Sequence, residues 1–137
     1  MENKNLNEID EAKDEIESAL RDPRGLIAHK KRLAFCLSDG TVKIIEEYLK
    51  RKNVLKQGNK LNHQWLKKKK ENVKGILAEK ITGSIDSLKE LDKILEIAYR
   101  IESKRNELAY GEKASEKMLS DLINQYLELE KEVEKNE

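Results

Sequence analysis

Apolar residues in this chain recur at helical spacing almost from end to end. Leu6, Ile9, Ile16 and Leu20, with Ala12 and Ala19 beside them, predict a first helix from about Leu6 to Leu20. Asp22-Pro23-Arg24-Gly25 then breaks the pattern, because proline lacks a donor and glycine loosens the backbone. A long second helix is expected over about Leu26 to Lys52. Leu33, Leu37, Ile44 and Tyr48, flanked by Ala34, Ile45 and Leu49, give it a wide apolar face. Asp39-Gly40 interrupts that face, but no strand pattern flanks it to make a hairpin. A glycine inside a helix costs about 1 kcal/mol against alanine, so Gly40 implies a packing reason: the close approach of another helix.

Residues 53–62 read as a loop turning at Gln57-Gly58-Asn59. A third helix is expected from about His63 to Lys80, with Trp65, Leu66, Val73, Ile76 and Leu77 inward, and Gly83 marks the next break. The fourth runs from about Ser84, a candidate N-cap, to Leu108, on a stripe of Ile85, Leu88, Leu91, Leu95, Ala98 and Ile101. The fifth begins near Ser115 after Gly111 and carries Met118, Leu119, Leu122, Ile123, Tyr126, Leu127 and Val133. Short connections make sequential helices antiparallel. The expectation is therefore one all-α domain over residues 1–137, an up-and-down bundle of about five helices.

Composition agrees. Charged residues make up 40% of the 137 positions and proline occurs once, which suits long solvated helices. No apolar run approaches the roughly 18 residues of a membrane helix, and the polar, acidic start (Met1 to Asp10) does not read as a signal peptide. The single cysteine, Cys36, lies in the apolar stretch Leu33-Ala34-Phe35-Cys36-Leu37 and reads as a packed thiol in a reducing, cytoplasmic setting. The net charge of +1 hides an asymmetry. Residues 24–81 hold 16 basic against 5 acidic side chains, while acidic residues predominate on both flanks. A basic middle attracts phosphate or neutralises acidic helices, in this chain or in a second copy.

Few residues suggest chemistry. Lys67-Lys68-Lys69-Lys70 follows Trp65, as though to hold a nucleic-acid backbone while the indole stacks on a base. Four successive lysines also simply clothe a solvated helix, and a tryptophan beside Leu66 also serves a core. His29 and His63 have no second His, Cys or clustered carboxylate at ligand spacing, so no metal site and no cofactor is expected. His63 could cap a helix. His29, beside Lys30, Lys31 and Arg32, reads as exposed surface or as part of a phosphate-binding cluster. There is no phosphate-binding glycine loop and no Ser/His/Asp elbow.

The segment that stands out is Arg105-Asn106-Glu107-Leu108-Ala109-Tyr110-Gly111, at the end of the fourth helix. Arg105 carries forked donors suited to phosphate, Asn106 can orient a neighbour, and Tyr110 offers a hydroxyl and a stacking face. If the helix loosens at its end, Arg105 and Tyr110 face one side. The same residues also suit an ordinary C-terminus, with Lys104 and Arg105 complementing the dipole and Gly111 as the stop.

This segment resembles the signature of the HEPN family (higher eukaryotes and prokaryotes nucleotide-binding domain). There, Arg and a polar residue are followed, four to six positions after the Arg, by a His at the end of the fourth helix. Arg105 and Asn106 match the first two positions. The long second helix with its small-residue middle (Ala34, Ser38, Gly40), the basic loop and third helix, and the last helix after Tyr110-Gly111 resemble the family's order. The resemblance implies a homodimer with two motifs facing across a cleft, and RNA or a nucleotide as ligand. It also implies a place in a toxin–antitoxin type module, where some members pair with a small nucleotidyltransferase. Some members cleave RNA without metal, Arg and His acting on the 2′-hydroxyl and the scissile phosphate. Here Tyr110 stands where those members have His. A phenol titrates near pH 10 and is a poor general base at neutral pH. Weak or absent ribonuclease activity is therefore expected, with Arg105 still able to neutralise phosphate charge. The competing expectation is a non-catalytic homodimeric scaffold, with Arg105 locked in an ion pair to Glu102 or the last helix and Tyr110 in the core.

Overall fold

The computed structural model describes residues 4–52, 65–67, 70–80, 88–111 and 114–135. These form five α-helices: α1 (Lys4–Arg21), α2 (Lys30–Arg51), α3 (Lys70–Lys80), α4 (Leu91–Tyr110) and α5 (Glu116–Lys135). Two 3-10 turns, Leu26–His29 and Trp65–Lys67, precede α2 and α3, and there is no strand among the described residues. The expected all-α bundle is what the chain forms. None of these helices is long and apolar enough to cross a membrane.

α2 is the central element. It packs against α1, α4 and α5, and its middle is therefore buried nearly all round, from Leu33 through Ser38 and Gly40 to Leu49. Cross-helix pairs fix the directions. Glu8 meets Lys43 and Glu15 meets Arg32, so α1 and α2 are antiparallel. Tyr48 donates to Glu90 while Ser38 donates to Glu102, so α2 and α4 are antiparallel. Glu116 reaches the turn before α2, and Tyr126 lies against Gly40, so α5 runs parallel to α2. Lys93 pairs with Glu132, and Lys74 of α3 pairs with Asp92 of α4 at 2.5 Å.

Gly40 has the packing role its position implied. A Cβ there would lie 2.5 Å from Tyr126 Oη and 3.0 Å from its Cε1 and Cζ, so the missing side chain lets the α5 ring cross the bundle centre. Gly25 is the second glycine with a reason. Its φ of +89° favours glycine, and a Cβ would strike the Glu116 carboxylate. That carboxylate accepts the backbone N–H groups of Leu26 and Ile27, both at 2.9 Å, and so caps the 3-10 turn from a distant helix. At the head of α5, Ser115 Oγ accepts from Met118 N at 3.2 Å, an N-cap.

Several expectations need correction. Leu20 is exposed: the inward face of α1 is Ala12, Ile16 and Ala19, and Leu20 is turned about 100° from Ala19. For the same reason Leu127 sits at the rim of α5 and Leu129 takes the core position. α4 begins at Leu91 rather than near Ser84, with a turn at Lys89-Glu90 before it; Ser84, Ile85 and Gly83 lie outside the described residues, as does His63.

His29 is not exposed surface. It is 5% accessible, with Nδ1 2.7 Å from Glu15 Oε1 and Nε2 2.8 Å from Asp22 Oδ2. Both ring nitrogens face carboxylates, so the imidazolium is the form this site fits. Glu15 first, then Asp22, raise the pKa of His29. The Arg24 side chain, then its backbone N–H, then His29 hold Asp22 well below the usual carboxylate range. The signs follow by linkage. His29 contributes fully below its unfolded value of about 6.5, and that contribution is lost as pH rises through the raised folded value. Asp22 contributes above about 3.8 and is lost as pH falls. Thermal melts should show wild-type stability declining as pH rises above about 6.5, and His29→Gln should flatten that decline while lowering the melting temperature at about pH 6. A parallel decline in both proteins would remove His29 as its cause.

Candidate nucleotide-binding site

The ladder between α2 and α4 ends in a cluster that joins the motif to the head of α2. In the antiparallel register Ser38 faces Glu102, Phe35 faces Arg105 and Lys31 faces Tyr110. The Arg105 guanidinium carbon lies 4.5 Å from the centre of the Phe35 ring. Tyr110 meets the same ring edge-on, with centroids 5.8 Å apart and planes at 61°. Lys31 Nζ is 5.4 Å from the centre of the Tyr110 ring. Arg105 Nη1 donates to Asn106 Oδ1 at 3.2 Å. A cation on an aromatic face contributes about 0.5–2 kcal/mol depending on desolvation, enough to hold a pose.

Arg105 and Tyr110 are associated by a different route from the one expected. α4 does not loosen at its end. It stays helical to Tyr110, and Gly111 N donates to Glu107 O at 2.8 Å. Five residues of intact helix set the two side chains about 140° apart. Phe35, between them, makes them one cluster.

Tyr110 is 64% exposed, not in the core. No ion pair joins Arg105 to a carboxylate among the described residues. Glu102, one turn earlier, is fully buried and accepts the Ser38 hydroxyl at 2.7 and 2.9 Å. Arg105 Nε is buried without a hydrogen-bond partner among the described residues. Arg105 is thus half-exposed on a floor of Phe35. The two features expected of the scaffold, Arg105 tied to Glu102 or the last helix and Tyr110 inside, are not found among the described residues.

The other candidates sit elsewhere. Trp65 is half-buried against the core and Leu66 is buried. Lys67 closes the 3-10 turn and Lys70 opens α3, while Lys68 and Lys69 lie outside the described residues. Cys36 is half-buried and packed against the core, and burial pushes its thiol pKa up. A groove of about 230 Å³ between α4 and α5, lined by Lys104, Leu108, Met118, Asp121, Leu122 and Gln125, shares no residue with the cluster. No group of His, Cys, Asp and Glu suited to a metal occurs among the described residues.

Phe35 is the residue that sequence reasoning missed. It reads there as one more apolar position. The available signal was its spacing, four residues after Lys31, which puts both on one face of α2. No protein-family model matches the chain, and no match is found among curated proteins or solved structures.

Proposed function

We propose that the chain is a HEPN-like RNA- or nucleotide-binding protein, with Arg105 as the phosphate contact and Tyr110 and Lys31 joined to it through Phe35. The observation that carries this reading is the pose of Arg105. Its guanidinium rests on Phe35 and is steadied by Asn106, with no carboxylate partner among the described residues. A guanidinium that no carboxylate neutralises suits a phosphate, and an exposed tyrosine with a lysine beside it offers a base a face.

Binding without efficient cleavage is the form this reading takes. The cluster holds a phenol where a histidine base would be needed. His29, the described histidine, is buried with both nitrogens engaged by Glu15 and Asp22. The resemblance behind this reading also implies two copies face to face, a toxin–antitoxin type module and a small nucleotidyltransferase as partner. Light scattering of the purified chain tests the first of these.

Filter binding with single-stranded RNA tests the ligand. Arg105→Ala is expected to weaken binding by about ten-fold, the scale of one lost phosphate or base contact. Lys31→Ala, removing a more flexible charge, should weaken it less. Equal affinity of wild type and Arg105→Ala would end the role given to Arg105.

A further inference from the structure

α1 and α5 both pack on α2 but little on each other. A groove of about 160 Å³ opens between them. Its apolar lining is Ile9, Ile44 and Val133. Four carboxylates stand around it, Asp10, Glu47, Glu130 and Glu134, against two cations, Lys13 and Arg51. The lining is therefore acidic over an aliphatic base.

Glu130 is the group that this lining leaves unsatisfied. Its side chain is 14% exposed, and Oε2 lies 3.6 Å from Lys13 Nζ. Oε1 is buried and has no hydrogen-bond partner among the described residues. Burial raises the pKa of Glu130 more than Lys13 lowers it, so one half-exposed lysine does not compensate the charge. A second buried oxygen lies on the same seam. Tyr126, one turn earlier on α5, is fully buried, and its hydroxyl also has no partner among the described residues. Glu130 and then Asp10 are the carboxylates that act on that hydroxyl. Buried polar atoms are normally paired. Two orphaned oxygens beside one groove point to a donor from outside the chain.

The lining says what kind of donor. The carboxylates do not converge as metal ligands among the described residues. An ammonium needs no such convergence, and methylenes attached to it would cover Ile9, Ile44 and Val133. Spacing gives the length. α1 and α5 are antiparallel, so with Lys13 level with Glu130, Asp10 comes about level with Glu134. Asp10 and Glu134 are exposed at the mouth of the groove and make no ion pair among the described residues. Glu130 and Glu134 are about 6 Å apart along the helix axis, the span of a four-carbon chain.

We infer that this groove binds a short aliphatic diamine, with one ammonium on Glu130 Oε1, the methylenes on Ile9, Ile44 and Val133, and the second ammonium between Asp10 and Glu134. The site shares no residue with the Arg105 cluster and does not depend on the reading given to it.

Isothermal titration of the full chain with 1,4-diaminobutane tests the groove. Binding is expected, and 1-aminobutane should bind about ten-fold more weakly, having lost one charged contact. Glu130→Gln keeps the shape of the side chain and removes its charge. It should weaken the diamine by about ten-fold or more and abolish the rise in melting temperature that the diamine gives wild type. Without diamine, Glu130→Gln should melt no lower than wild type, because a poorly compensated buried charge is gone. Asp10→Asn with Glu134→Gln, both at exposed positions, should bring the diamine down to the affinity of 1-aminobutane, a test that does not touch the buried residue. A wild type that does not bind the diamine would overturn the proposal. So would Glu130→Gln that binds it like wild type, since the orphaned oxygen would then not be its partner. Magnesium chloride bound as tightly as the diamine, and lost in the same variants, would show a general acidic surface and would overturn it too.

Discussion

Gly40→Val is expected to be among the most damaging single substitutions in the chain, lowering stability by about 3 kcal/mol or more. A Cβ at residue 40 has no free space: Tyr126 Oη would be 2.5 Å away and two ring carbons 3.0 Å away. The ring is rigid and fully buried, so the clash can be relieved only by moving α5 away from α2. Gly40→Ala tests the contact more finely. Alanine gains about 1 kcal/mol in helix propensity, so the net loss should be about 1–2 kcal/mol. Tyr126→Phe should cost little alone, because the Tyr126 hydroxyl is buried without a hydrogen-bond partner among the described residues. Combined with Gly40→Ala it should recover part of the loss, giving a favourable coupling in denaturant titrations. A Gly40→Val protein that melts like wild type would show that α2 and α5 are not packed as described.

Removing the Glu102 carboxylate is the second large effect. Glu102→Ala takes the acceptor from the buried Ser38 hydroxyl and leaves space between α2 and α4. The expected cost is about 2–4 kcal/mol. Replacing both partners together, Ser38→Ala with Glu102→Leu, should restore most of that stability, because an apolar pair of similar volume avoids burying a charge. The pair also sets the α2–α4 register one turn before the cluster, so the restored protein should keep its RNA affinity. If the double variant is no more stable than Glu102→Ala, the Ser38 contact is not what Glu102 contributes.

The helices were readable in the sequence because burial is periodic. Gly40 could be interpreted before any coordinates because a glycine inside a strongly apolar helix demands a close neighbour. What could not be read is what depends on long-range register. His29 is buried because Glu15 and Asp22, 14 and 7 residues away, converge on it, and no local pattern announces that. Leu20 and Leu127 fit a loose helical stripe but fall just outside the arc their neighbours bury. At the candidate site, Arg105, Asn106 and Tyr110 stood out as a short motif. Their grouping needs Phe35 from α2, and only the antiparallel register supplies it. A helix loosened at its end was the wrong mechanism, because Gly111 closes α4 without unwinding it.

The most direct test of the Arg105 site is the salt dependence of RNA binding in wild type and Arg105→Ala. A guanidinium on a phosphate releases counterion, so the wild-type slope of log affinity against log salt should be steeper than that of the variant by about 0.7, the single-strand value per phosphate. The two lines should converge as salt rises. Parallel lines, however far apart, would mean that Arg105 supports the fold of the site without touching RNA phosphate.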